Sequence, residues 1–447
     1  MSKRIVIIGG GDAGTYTLEA IMKRKGDVAI TLLKKDRYGS VSICGLPFAL
    51  QGIYPLKDIE LQGPEFFQSR GIDYRILTEV TEINLEANSV TIQTGEELEY
   101  DYLVIATGSR PFIPSIPGVE LEGVYTVKDM EDGERIEVAM NDPGVKNAVV
   151  IGAGTIALQV AVAFSKNNIK TTVTKPRPLI LRSMLDPDIA SKVQKKLEEL
   201  EIRFILGKET VAIKGDGDVK SVLIGDTEVP ADIVVACAGM RPNVDLAKEA
   251  GIEIGESGGI ATDPFLHVKK GRGYIDNVYA AGDCVEVIDA ITHRPRLSML
   301  ASTCVTQAKV ISDNIFGDNS SFDPVLSPTV ANIAGLQVGS VGITSETAKR
   351  YGMKVITGKK EKPTKPRYYP GRKSMLMKLL FDAYSERLVG AQIISEDQVA
   401  DRIDELSIAI RCGMRARELR LMEKSFDPSL ALHRDVMADA AEDALNV

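Results

Sequence analysis

Tryptophan is absent from this sequence of 447 residues, and histidine and cysteine are rare, with three and five copies. The cysteines are Cys44, Cys237, Cys284, Cys304 and Cys412, an odd number without any CxxC pair. Such spacing excludes a disulfide scaffold and a standard zinc site, so we expect no metal. Free thiols fit a reducing compartment, and we therefore expect the protein to be cytoplasmic.

A surplus of basic residues and long apolar runs are also missing. The formal net charge is −8 at pH 7. A surface that binds nucleic acid through its phosphates needs the opposite sign, so we expect no nucleic-acid partner. Apolar runs stay below the roughly 18 residues that a spanning helix needs, and no signal-peptide pattern is seen. We therefore expect no integral membrane segment.

A strand-like run, a glycine-rich turn and a helix-like run occur twice in the chain. The first copy covers residues 3–14 (KRIVIIGGGDAG), and the second covers residues 147–157 (NAVVIGAGTIA). A further strand-like run follows each copy, at residues 28–33 and 170–174. The order strand, helix, parallel strand predicts two Rossmann-like units in an α/β fold.

The remaining regions differ in character. Residues 75–104 alternate polar and apolar side chains, which predicts a β-meander followed by a buried strand. From about residue 324, strand-like runs precede charged helical runs, which predicts a separate α+β domain. Residues 359–373 are basic and contain prolines, so we expect them to form an exposed loop.

The first turn has the GxGxxG pattern of a dinucleotide site, at Gly9, Gly11 and Gly14. The first glycine permits the tight turn, the second lets a pyrophosphate approach the backbone, and the third lets helix and strand pack closely. The following helix N-terminus stabilises the phosphate charge. Asp12 and Ala13 lie within the same turn and are predicted to contact the cofactor.

The acid that usually binds a ribose is expected about 20 residues after this turn, and here that position holds a lysine. Lys34 and Lys35 stand there, and Asp36 follows. Either Asp36 replaces the usual acid, or Lys34 and backbone groups bind the ribose.

The second turn has the related pattern GxGxxA, at Gly152, Gly154 and Ala157, with Thr155 beginning the helix. The ribose-binding position here is Lys175, and Arg177 is close by. Because cations attract a 2′-phosphate that an acid would repel, NADPH is predicted to be preferred, with NADH as the alternative. The other interpretation places both cations in a solvated loop.

Two further runs carry a family resemblance. YDYLVIATG (residues 100–108) and NVYAAGD (residues 277–283) resemble the second and third fingerprints of the two-dinucleotide-binding flavoproteins. The resemblance implies that the first site binds FAD and that Asp283 contacts its ribitol. The other contacts predicted with the two nucleotides are Ala106, Thr107, Gly108, Gly239, Gly282, Ala301 and Ser302.

Cys44 lies in YGSVSICGLPF, residues 38–48. The CGLP pattern resembles the single-cysteine branch of the FAD-dependent pyridine nucleotide-disulfide oxidoreductases. That branch contains coenzyme A-disulfide reductases, NAD(P)H sulfur or persulfide reductases, and NADH oxidases. The resemblance covers essentially the whole chain and implies a glutathione-reductase-like fold and a homodimer. It implies an FAD-binding domain at residues 1–112 and 245–323, an NAD(P)H-binding domain at 113–244, and a C-terminal dimerisation domain at 324–447.

The resemblance also implies a path for the electrons. Hydride passes from the nicotinamide to the flavin, and two electrons then reach the sulfur of Cys44. No second cysteine follows within reach, so Cys44 must form a mixed disulfide, a persulfide or a sulfenic acid with an external partner. A helix N-terminus and the flavin are expected to lower the pKa of this thiol. We interpret Cys237, Cys284 and Cys304 as core residues, with a position near the cofactor as the alternative for Cys284, and Cys412 as a structural residue of a helical region.

Several positions depart from the patterns of this branch. Asp12 stands where the oxidases and peroxidases carry a histidine, which argues against oxygen or peroxide as the acceptor. Ile43 and Ala20 stand where coenzyme A-disulfide reductases have Asn and Arg, which weakens coenzyme A binding. Thr155 and Gln159 replace the usual Tyr and Glu near the flavin.

The C-terminal region resembles a domain that contributes tyrosines to the partner's active site. Tyr368 and Tyr369 match one such element and are candidates for the acid that protonates a leaving thiolate, while Phe426 replaces the second tyrosine. The alternative is a surface tyrosine pair before a proline turn.

The leading prediction is therefore an NAD(P)H-dependent reductase of a small disulfide, polysulfide or persulfide that acts through Cys44. One rival is an NAD(P)H oxidase that reduces oxygen. Another is an electron-transfer reductase for a redox protein or quinone, in which Cys44 is dispensable. The last is a redox-sensing flavoprotein without catalysis.

Overall fold

The computed structural model describes residues 2–446, which pack into two compact units. The first unit contains residues 2–112, 128–134 and 239–325, and the second contains residues 113–127, 135–238 and 326–446. The domain boundaries that we predicted from the family resemblance remain a prediction.

The elements follow one another in four stretches, which are given in chain order. The first contains β1 (Lys3–Ile8), α1 (Asp12–Met22), β2 (Val28–Leu33), β3 (Ser40–Val41), α2 (Leu46–Leu50), β4 (Glu60–Gln62), α3 (Pro64–Gln68), β5 (Asp73–Arg75), β6 (Val80–Asn84), β7 (Ser89–Ile92), β8 (Glu97–Glu99), β9 (Tyr102–Ile105) and β10 (Ser109–Pro111). The second contains β11 (Val124–Tyr125), α4 (Met130–Met140), β12 (Asn147–Ile151), α5 (Thr155–Lys166), β13 (Lys170–Lys175), α6 (Pro187–Glu198), β14 (Arg203–Leu206), β15 (Thr210–Asp216), β16 (Asp218–Ile224), β17 (Thr227–Pro230) and β18 (Ile233–Ala236).

The third stretch contains β19 (Met240–Pro242), α7 (Asp245–Glu249), β20 (His267–Lys270), β21 (Gly273–Ala280), β22 (Glu286–Ile288), β23 (Pro295–Leu297) and α8 (Ala301–Phe316). The fourth contains β24 (Thr329–Ile333), β25 (Leu336–Gly342), α9 (Ser345–Arg350), β26 (Val355–Pro363), β27 (Ser374–Asp382), β28 (Leu388–Ser395), α10 (Val399–Arg411), α11 (Ala416–Leu421) and α12 (Val436–Ala444).

The main sheet of the first unit has the strand order β20-β21-β9-β1-β2-β5. The strand β1 runs parallel to β2 on one side and to β9 on the other, so the chain reverses its winding at the end of β1. In open sheets of this type a ligand binds at that reversal, outside the carboxyl ends of the strands. The first glycine turn lies there, between β1 and α1, as predicted.

Both faces of this sheet are covered, because side chains of β1 alternate between two separate cores. Ile5 and Ile7 face a core that includes residues of α1 and α8. Val6 and Ile8 face a second core that includes residues of the β6–β8 meander and α7. Strands buried on both faces read as continuous apolar runs, and the run in β1 has this form.

The second unit repeats the arrangement and adds two antiparallel sheets. Its parallel sheet has the order β11-β18-β12-β13-β14, and the second glycine turn lies between β12 and α5. The strands β15, β16 and β17 form one antiparallel sheet. The C-terminal region forms the other, with the order β24-β25-β28-β27-β26, and α10 and α12 pack against it. The duplicated α/β units and the separate α+β region are thus confirmed.

The loop that we predicted at residues 359–373 is partly wrong. Its first five residues belong to β26, which pairs with β27, and the connection between these strands follows them. Since β26 is an edge strand, its lysines can face solvent, a common way of protecting a sheet edge from pairing. Lys360 and Lys362 make ion pairs with Asp443 and Asp439 of α12.

No helix within residues 2–446 is long and apolar enough to cross a membrane.

A buried ion pair connects α6 to the C-terminal sheet within the second unit. Asp186, which precedes α6, is 1% exposed, and its carboxylate lies 2.9 Å from Nζ of Lys378 on β27. The same carboxylate accepts hydrogen bonds from the backbone nitrogen and the hydroxyl of Ser345. The Lys378 ammonium also lies 2.9 Å from Asp188.

We expect Lys378→Met to destabilise the protein by about 3 kcal/mol, because it leaves a buried carboxylate without its cation. The matched control is Lys208→Met, which removes an exposed pair with Asp226 and should cost less than about 1 kcal/mol. Urea unfolding followed by circular dichroism measures both. Equal unfolding midpoints for the two variants would contradict the assigned role of Lys378.

Candidate active site

In the first glycine turn, Gly9 and Gly14 are in close contact with neighbouring backbone, whereas Gly11 has free space beside it. Gly9 has φ +107°, and a Cβ there would lie 2.1 Å from the carbonyl oxygen of Ala106. A Cβ on Gly14 would lie 1.8 Å from the carbonyl oxygen of Gly9. At Gly11, just before α1, no atom lies within 4 Å of a Cβ position. The turn therefore leaves a free face at a helix N-terminus, where a phosphate can approach the backbone.

A buried hydroxyl without a partner lies beside this turn. The hydroxyl of Tyr74 on β5 has no hydrogen-bond partner within residues 2–446 and would lie 3.0 Å from a Cβ on Gly10. Buried polar groups are nearly always hydrogen-bonded, so this hydroxyl suits a bound ligand. Together, the open face of the turn and the unpartnered hydroxyl fit a dinucleotide such as FAD.

The two lysines at the expected ribose position differ in burial and in the carboxylate with which each pairs. Lys34 is buried, and its Nζ lies 3.0 Å from the carboxylate of Asp36. Lys34 and Asp36, the two candidates for ribose binding, therefore form an ion pair with each other. Lys35 is exposed and pairs with Glu79 at 2.7 Å, so the structure does not bring its ammonium group to the turn.

Asp283 lies in the 3-10 turn at residues 282–284 and forms a small polar network. Its carboxylate accepts a hydrogen bond of 2.7 Å from the hydroxyl of Ser109. Nζ of Lys128 lies 4.0 Å from the same carboxylate and 3.3 Å from the Ser109 hydroxyl oxygen. Gly282 donates its backbone N–H to the side chain of Gln307 at 2.8 Å, which holds this turn against α8.

Lys128 was missed by the sequence analysis. It belongs to none of the motifs and lies in the short segment 128–134, which packs with the first unit although the residues on either side belong to the second. No spacing or composition signal marks it.

Asp12 begins α1 and joins this network through its charge. Loss of water on burial raises the pKa of Asp12, and repulsion by the Asp283 carboxylate raises it further. The positive charges of Lys128 and Lys34 counteract part of this rise. A carboxyl group with a raised pKa in a cleft is a candidate for proton transfer.

The thiol of Cys44 belongs to the same site. It lies in the 3-10 turn at residues 43–45, is exposed, and interacts electrostatically with Asp12, Asp283 and Lys128. Loss of water to the surrounding protein raises the pKa of the Cys44 thiol, the two carboxylates add to the rise, and Lys128 opposes it. We expected a helix N-terminus to lower this pKa. The helix that follows, α2, has only five residues, and in this chain the carboxylates and dehydration outweigh it.

Hydrogen bonds and strand pairing connect the two segments in which the chain leaves and re-enters the first unit, near residues 107–111 and 239–243. The hydroxyl of Thr107 donates to the carbonyl oxygen of Asn243 at 2.6 Å, and the Asn243 amide donates to the carbonyl oxygen of Thr107 at 2.9 Å. Gly108 has φ +67° and precedes β10, while Gly239 has φ +132° and precedes β19, with which β10 pairs. Ala301 and Ser302 begin α8, which packs on α1.

The second glycine turn, in the second unit, has the same form as the first. Gly152 has φ +134°, and a Cβ there would lie 2.1 Å from the carbonyl oxygen of Cys237. At Gly154 no atom lies within 4 Å of a Cβ position. Thr155 begins α5, and Ala157 is buried on it. The turn therefore leaves the free face that a second nucleotide needs.

Lys175 is the last residue of β13 and is half-buried. It has no carboxylate within salt-bridge distance in residues 2–446, and neither has Arg177, which is exposed. Loss of water lowers the pKa of Lys175, and the nearby charges of Arg182 and Arg177 lower it further. A cation so placed attracts an anionic ligand. Arg182 was missed by the sequence analysis because it lies seven residues past the expected position.

Gln159 has a packing role within the second unit. It is buried on α5, and its amide donates to the carbonyl oxygen of Asn332 on β24 at 3.0 Å. The replacement of the usual Glu by Gln therefore provides a neutral donor for a backbone acceptor in the C-terminal region.

The two candidate tyrosines lie in the connection between β26 and β27 of the second unit. The Tyr368 side chain is 76% exposed. Tyr369 is half-buried, its backbone N–H donates to Pro366, and Nζ of Lys365 lies 5.4 Å from its ring centroid. Their role as acids remains a prediction.

The other four cysteines only partly follow the expected packing roles. Cys284 and Cys304 are buried in the two cores of the first unit, as expected. Cys237 is only half-buried, since it lies just past the end of β18 beside the second glycine turn. The core-packing expectation is therefore wrong for Cys237. Cys412 lies at the end of α10, in a helical region as expected, and is exposed. No group of His, Cys, Asp and Glu in the described chain is arranged to hold a metal.

Comparison with known proteins gives consistent results. Residues 3–308 match the family model of the pyridine nucleotide-disulphide oxidoreductases, and residues 329–434 match their dimerisation domain. An NADH oxidase of Methanocaldococcus jannaschii is 37% identical over 99% of this chain and 98% of its own length. A CoA-dependent NAD(P)H sulfur oxidoreductase of Pyrococcus furiosus is 33% identical over 96% of each chain. The structure of an NAD-dependent persulfide reductase from A. fulgidus is 33% identical, covers 99% of this chain and 83% of its own, and has a TM-score of 0.95.

The charges around Cys44 predict how two substitutions move its pKa. Asp12→Asn removes a negative neighbour and should lower the pKa of Cys44, whereas Lys128→Met removes a positive one and should raise it. The measurement is the pH dependence of Cys44 alkylation by iodoacetamide, followed by peptide mass spectrometry. Asp216→Asn, on the exposed β15–β16 hairpin, is the control and should change nothing. Shifts in the same direction for the first two variants would refute the assignment.

Proposed function

The chain belongs to the pyridine nucleotide-disulphide oxidoreductase family, and from this premise we propose that it reduces a disulfide, polysulfide or persulfide through Cys44. The enzyme is an NAD(P)H-dependent flavoprotein oxidoreductase. The observation that carries the finer proposal is the position of Cys44. Its exposed thiol lies with Asp12, Asp283 and Lys128 at the first glycine turn. FAD, when bound, supplies the capacity to take a hydride from NAD(P)H and to pass on two electrons.

The residues of the first unit that suit FAD are those around the open turn. Gly11 leaves room for the pyrophosphate, and the α1 N-terminus stabilises its charge. The unpartnered hydroxyl of Tyr74 and the ammonium group of Lys128 are further groups that a bound dinucleotide can engage. In the second unit, Gly154 leaves room for the pyrophosphate of the nicotinamide nucleotide, and the positive charge of Lys175 attracts its phosphate groups.

The chemistry at Cys44 is an exchange between sulfur atoms. The thiolate attacks one sulfur of the substrate, the substrate S–S bond breaks, and a mixed disulfide or persulfide forms on Cys44. The departing sulfur takes a proton. Two electrons that originate from NAD(P)H then break the new S–S bond, which restores the Cys44 thiolate and releases the second sulfur as a thiol or sulfide. Each turnover consumes one NAD(P)H and one proton.

Asp12 is a candidate donor of that proton. The pKa of its carboxyl is raised by burial and by Asp283, so it holds a proton more readily than an ordinary aspartate. Tyr368 and Tyr369 remain the other candidates, supplied by the partner subunit of a homodimer.

We propose a small sulfur compound as the substrate. The relative from Pyrococcus furiosus is named CoA-dependent, and the structure from A. fulgidus is named a persulfide reductase. Ile43 directly before Cys44 and Ala20 on α1 offer no polar group to a coenzyme A moiety. We therefore favour a polysulfide or persulfide over coenzyme A disulfide.

We also propose a homodimer in the cytoplasm. The dimerisation-domain match covers residues 329–434, and large apolar side chains in this range are exposed in the single chain. The more exposed ones are Tyr384 at 78%, Tyr368 at 76%, Leu421 at 75%, Ile408 at 66% and Leu430 at 64%. Apolar side chains exposed in this way favour burial against a second copy.

A second candidate function is the reduction of oxygen, which is favoured by the name of the Methanocaldococcus jannaschii relative, an NADH oxidase. Asp12 argues against it, because the family resemblance described above implies a histidine at this position in oxidases and peroxidases. An electron-transfer reductase in which Cys44 is dispensable is a third candidate.

Cys44→Ser separates these functions. We expect anaerobic NAD(P)H-dependent polysulfide reduction to fall on the order of a thousandfold or more, since the group that forms the covalent intermediate is lost. Bleaching of the flavin absorbance by NAD(P)H should persist. In the wild type, mass spectrometry of Cys44 after exposure to polysulfide should find added sulfur.

The matched control is Cys412→Ser, which removes the other exposed thiol and should leave turnover unchanged. Full polysulfide activity in Cys44→Ser would favour the electron-transfer reductase, and turnover of the wild type with oxygen alone would favour the oxidase.

We propose that NADPH is preferred over NADH, on the basis of Lys175 and Arg177. Lys175→Glu should lower the ratio of kcat/KM for NADPH to that for NADH by about tenfold or more, because a carboxylate repels the 2′-phosphate. Lys170→Glu, at the exposed opposite end of β13, is the control. An unchanged ratio in Lys175→Glu would show that these cations do not recognise the phosphate.

A further inference from the structure

Four cations of the second unit form a group beside the second glycine turn. We call Lys175, Arg177, Arg182 and Arg350 the basic cluster. Loss of water lowers the pKa of Lys175, and the charges of Arg182 and Arg177 lower it further. Loss of water also lowers the pKa of Arg182, and the charges of Arg177 and Arg350 add to this, so Arg182 interacts with each of the other three charges. In the described chain, the carboxylate that pairs with members of this cluster is that of Glu346.

The backbone fixes Arg182 next to the turn. The N–H of Leu181 donates to the carbonyl oxygen of Ala153, which lies between Gly152 and Gly154, at 2.8 Å. Leu181 is 1% exposed and has φ +49°, which is rare for a residue with a branched side chain. The hydrogen bond of Leu181 therefore places the next residue, Arg182, beside the nucleotide turn.

Glu346 reaches this site from the C-terminal region. It lies in the first turn of α9, and its carboxylate accepts a hydrogen bond from Nε of Arg182 at 2.6 Å. The second guanidinium nitrogen of Arg182 contacts the other carboxylate oxygen, so the pair is bidentate. Arg350, one turn later on α9, lies 3.7 Å from the same carboxylate.

Hydrogen bonds of the preceding residue fix the backbone at Glu346. Ser345, the preceding residue, gives both its backbone N–H and its hydroxyl to the buried carboxylate of Asp186, at 2.9 and 2.6 Å. Asp186 is 1% exposed and is also held by Lys378. The start of α9 is therefore anchored, which keeps the side chain of Glu346 within reach of Arg182.

We propose that the Glu346 carboxylate pairs with the guanidinium of Arg182 in the free enzyme and that the 2′-phosphate of NADPH displaces it. Glu346 therefore lowers the affinity of the enzyme for this phosphate. The inference rests on the proposed preference for NADPH. A phosphate carries more charge than a carboxylate and has more oxygen atoms that can accept hydrogen bonds from Arg182 and its cationic neighbours. A carboxylate that already holds Arg182 reduces the net positive charge and must be separated from it first. NADH has no group that needs Arg182, so its binding is insensitive to Glu346.

The test is Glu346→Gln in the FAD-loaded protein, with adenosine 2′,5′-bisphosphate and adenosine 5′-monophosphate as probes in calorimetry. The dissociation constant of the bisphosphate should fall by about three- to tenfold, because a competing charge is removed while the shape is kept. That of the monophosphate should not change. Glu346→Ala is a second variant with the same expected direction, and Arg182→Met should weaken only the bisphosphate, by about tenfold.

The matched control is Glu361→Gln, which removes a carboxylate paired with Lys192 elsewhere in the second unit. It should leave both dissociation constants unchanged. Weaker or equal bisphosphate binding in Glu346→Gln, with Arg182→Met still impaired, would overturn the role of Glu346 and leave the NADPH preference standing. If Arg182→Met and Lys175→Glu both bind the two probes like the wild type, the NADPH preference itself fails.

Discussion

Close backbone contact at the two glycine turns is the constraint on which the arrangement of both nucleotide sites depends. In the first turn the backbone of Gly9 passes so near Ala106, and that of Gly14 so near Gly9, that neither position has room for a side chain. The approach joins β1, α1 and β9 at one point. Gly152 makes the same contact with Cys237 in the second unit. Once these contacts form, a helix N-terminus with free backbone N–H groups lies at the reversal of each sheet.

In the first unit, the geometry set by this turn gathers charges of both signs around one thiol. Asp12 begins the helix that leaves the turn, Asp283 lies in the 3-10 turn that follows β21, and Cys44 lies in the 3-10 turn that follows β3. Loss of water raises the pKa of the Cys44 thiol, the two carboxylates raise it further, and Lys128 lowers it. This pKa therefore reflects a balance of dehydration and opposed charges. This balance distinguishes the site from a cysteine activated by a long helix.

In the second unit, the C-terminal region makes several polar contacts with the nucleotide-binding region. The buried pair between Asp186 and Lys378, the bond from Gln159 to Asn332, and the pair between Arg182 and Glu346 all join the two regions. Each joins a residue of the nucleotide-binding region to the C-terminal sheet or to α9. The surroundings of the second glycine turn thus depend on residues more than 150 positions away in the chain.

Local backbone geometry and short, regular spacing were enough to predict the two strand-turn-helix units and the glycine positions from the sequence. Cys44 and Asp283 were singled out by the family resemblance. The surroundings of Lys128, Tyr74, Arg182 and Glu346 could be found only in the folded chain, because an isolated lysine, tyrosine, arginine or glutamate has no local signal and packing sets its neighbours. The same reason explains the error at residues 359–363. A basic run resembles a loop, and only pairing with β27 and with acids of α12 makes it a strand.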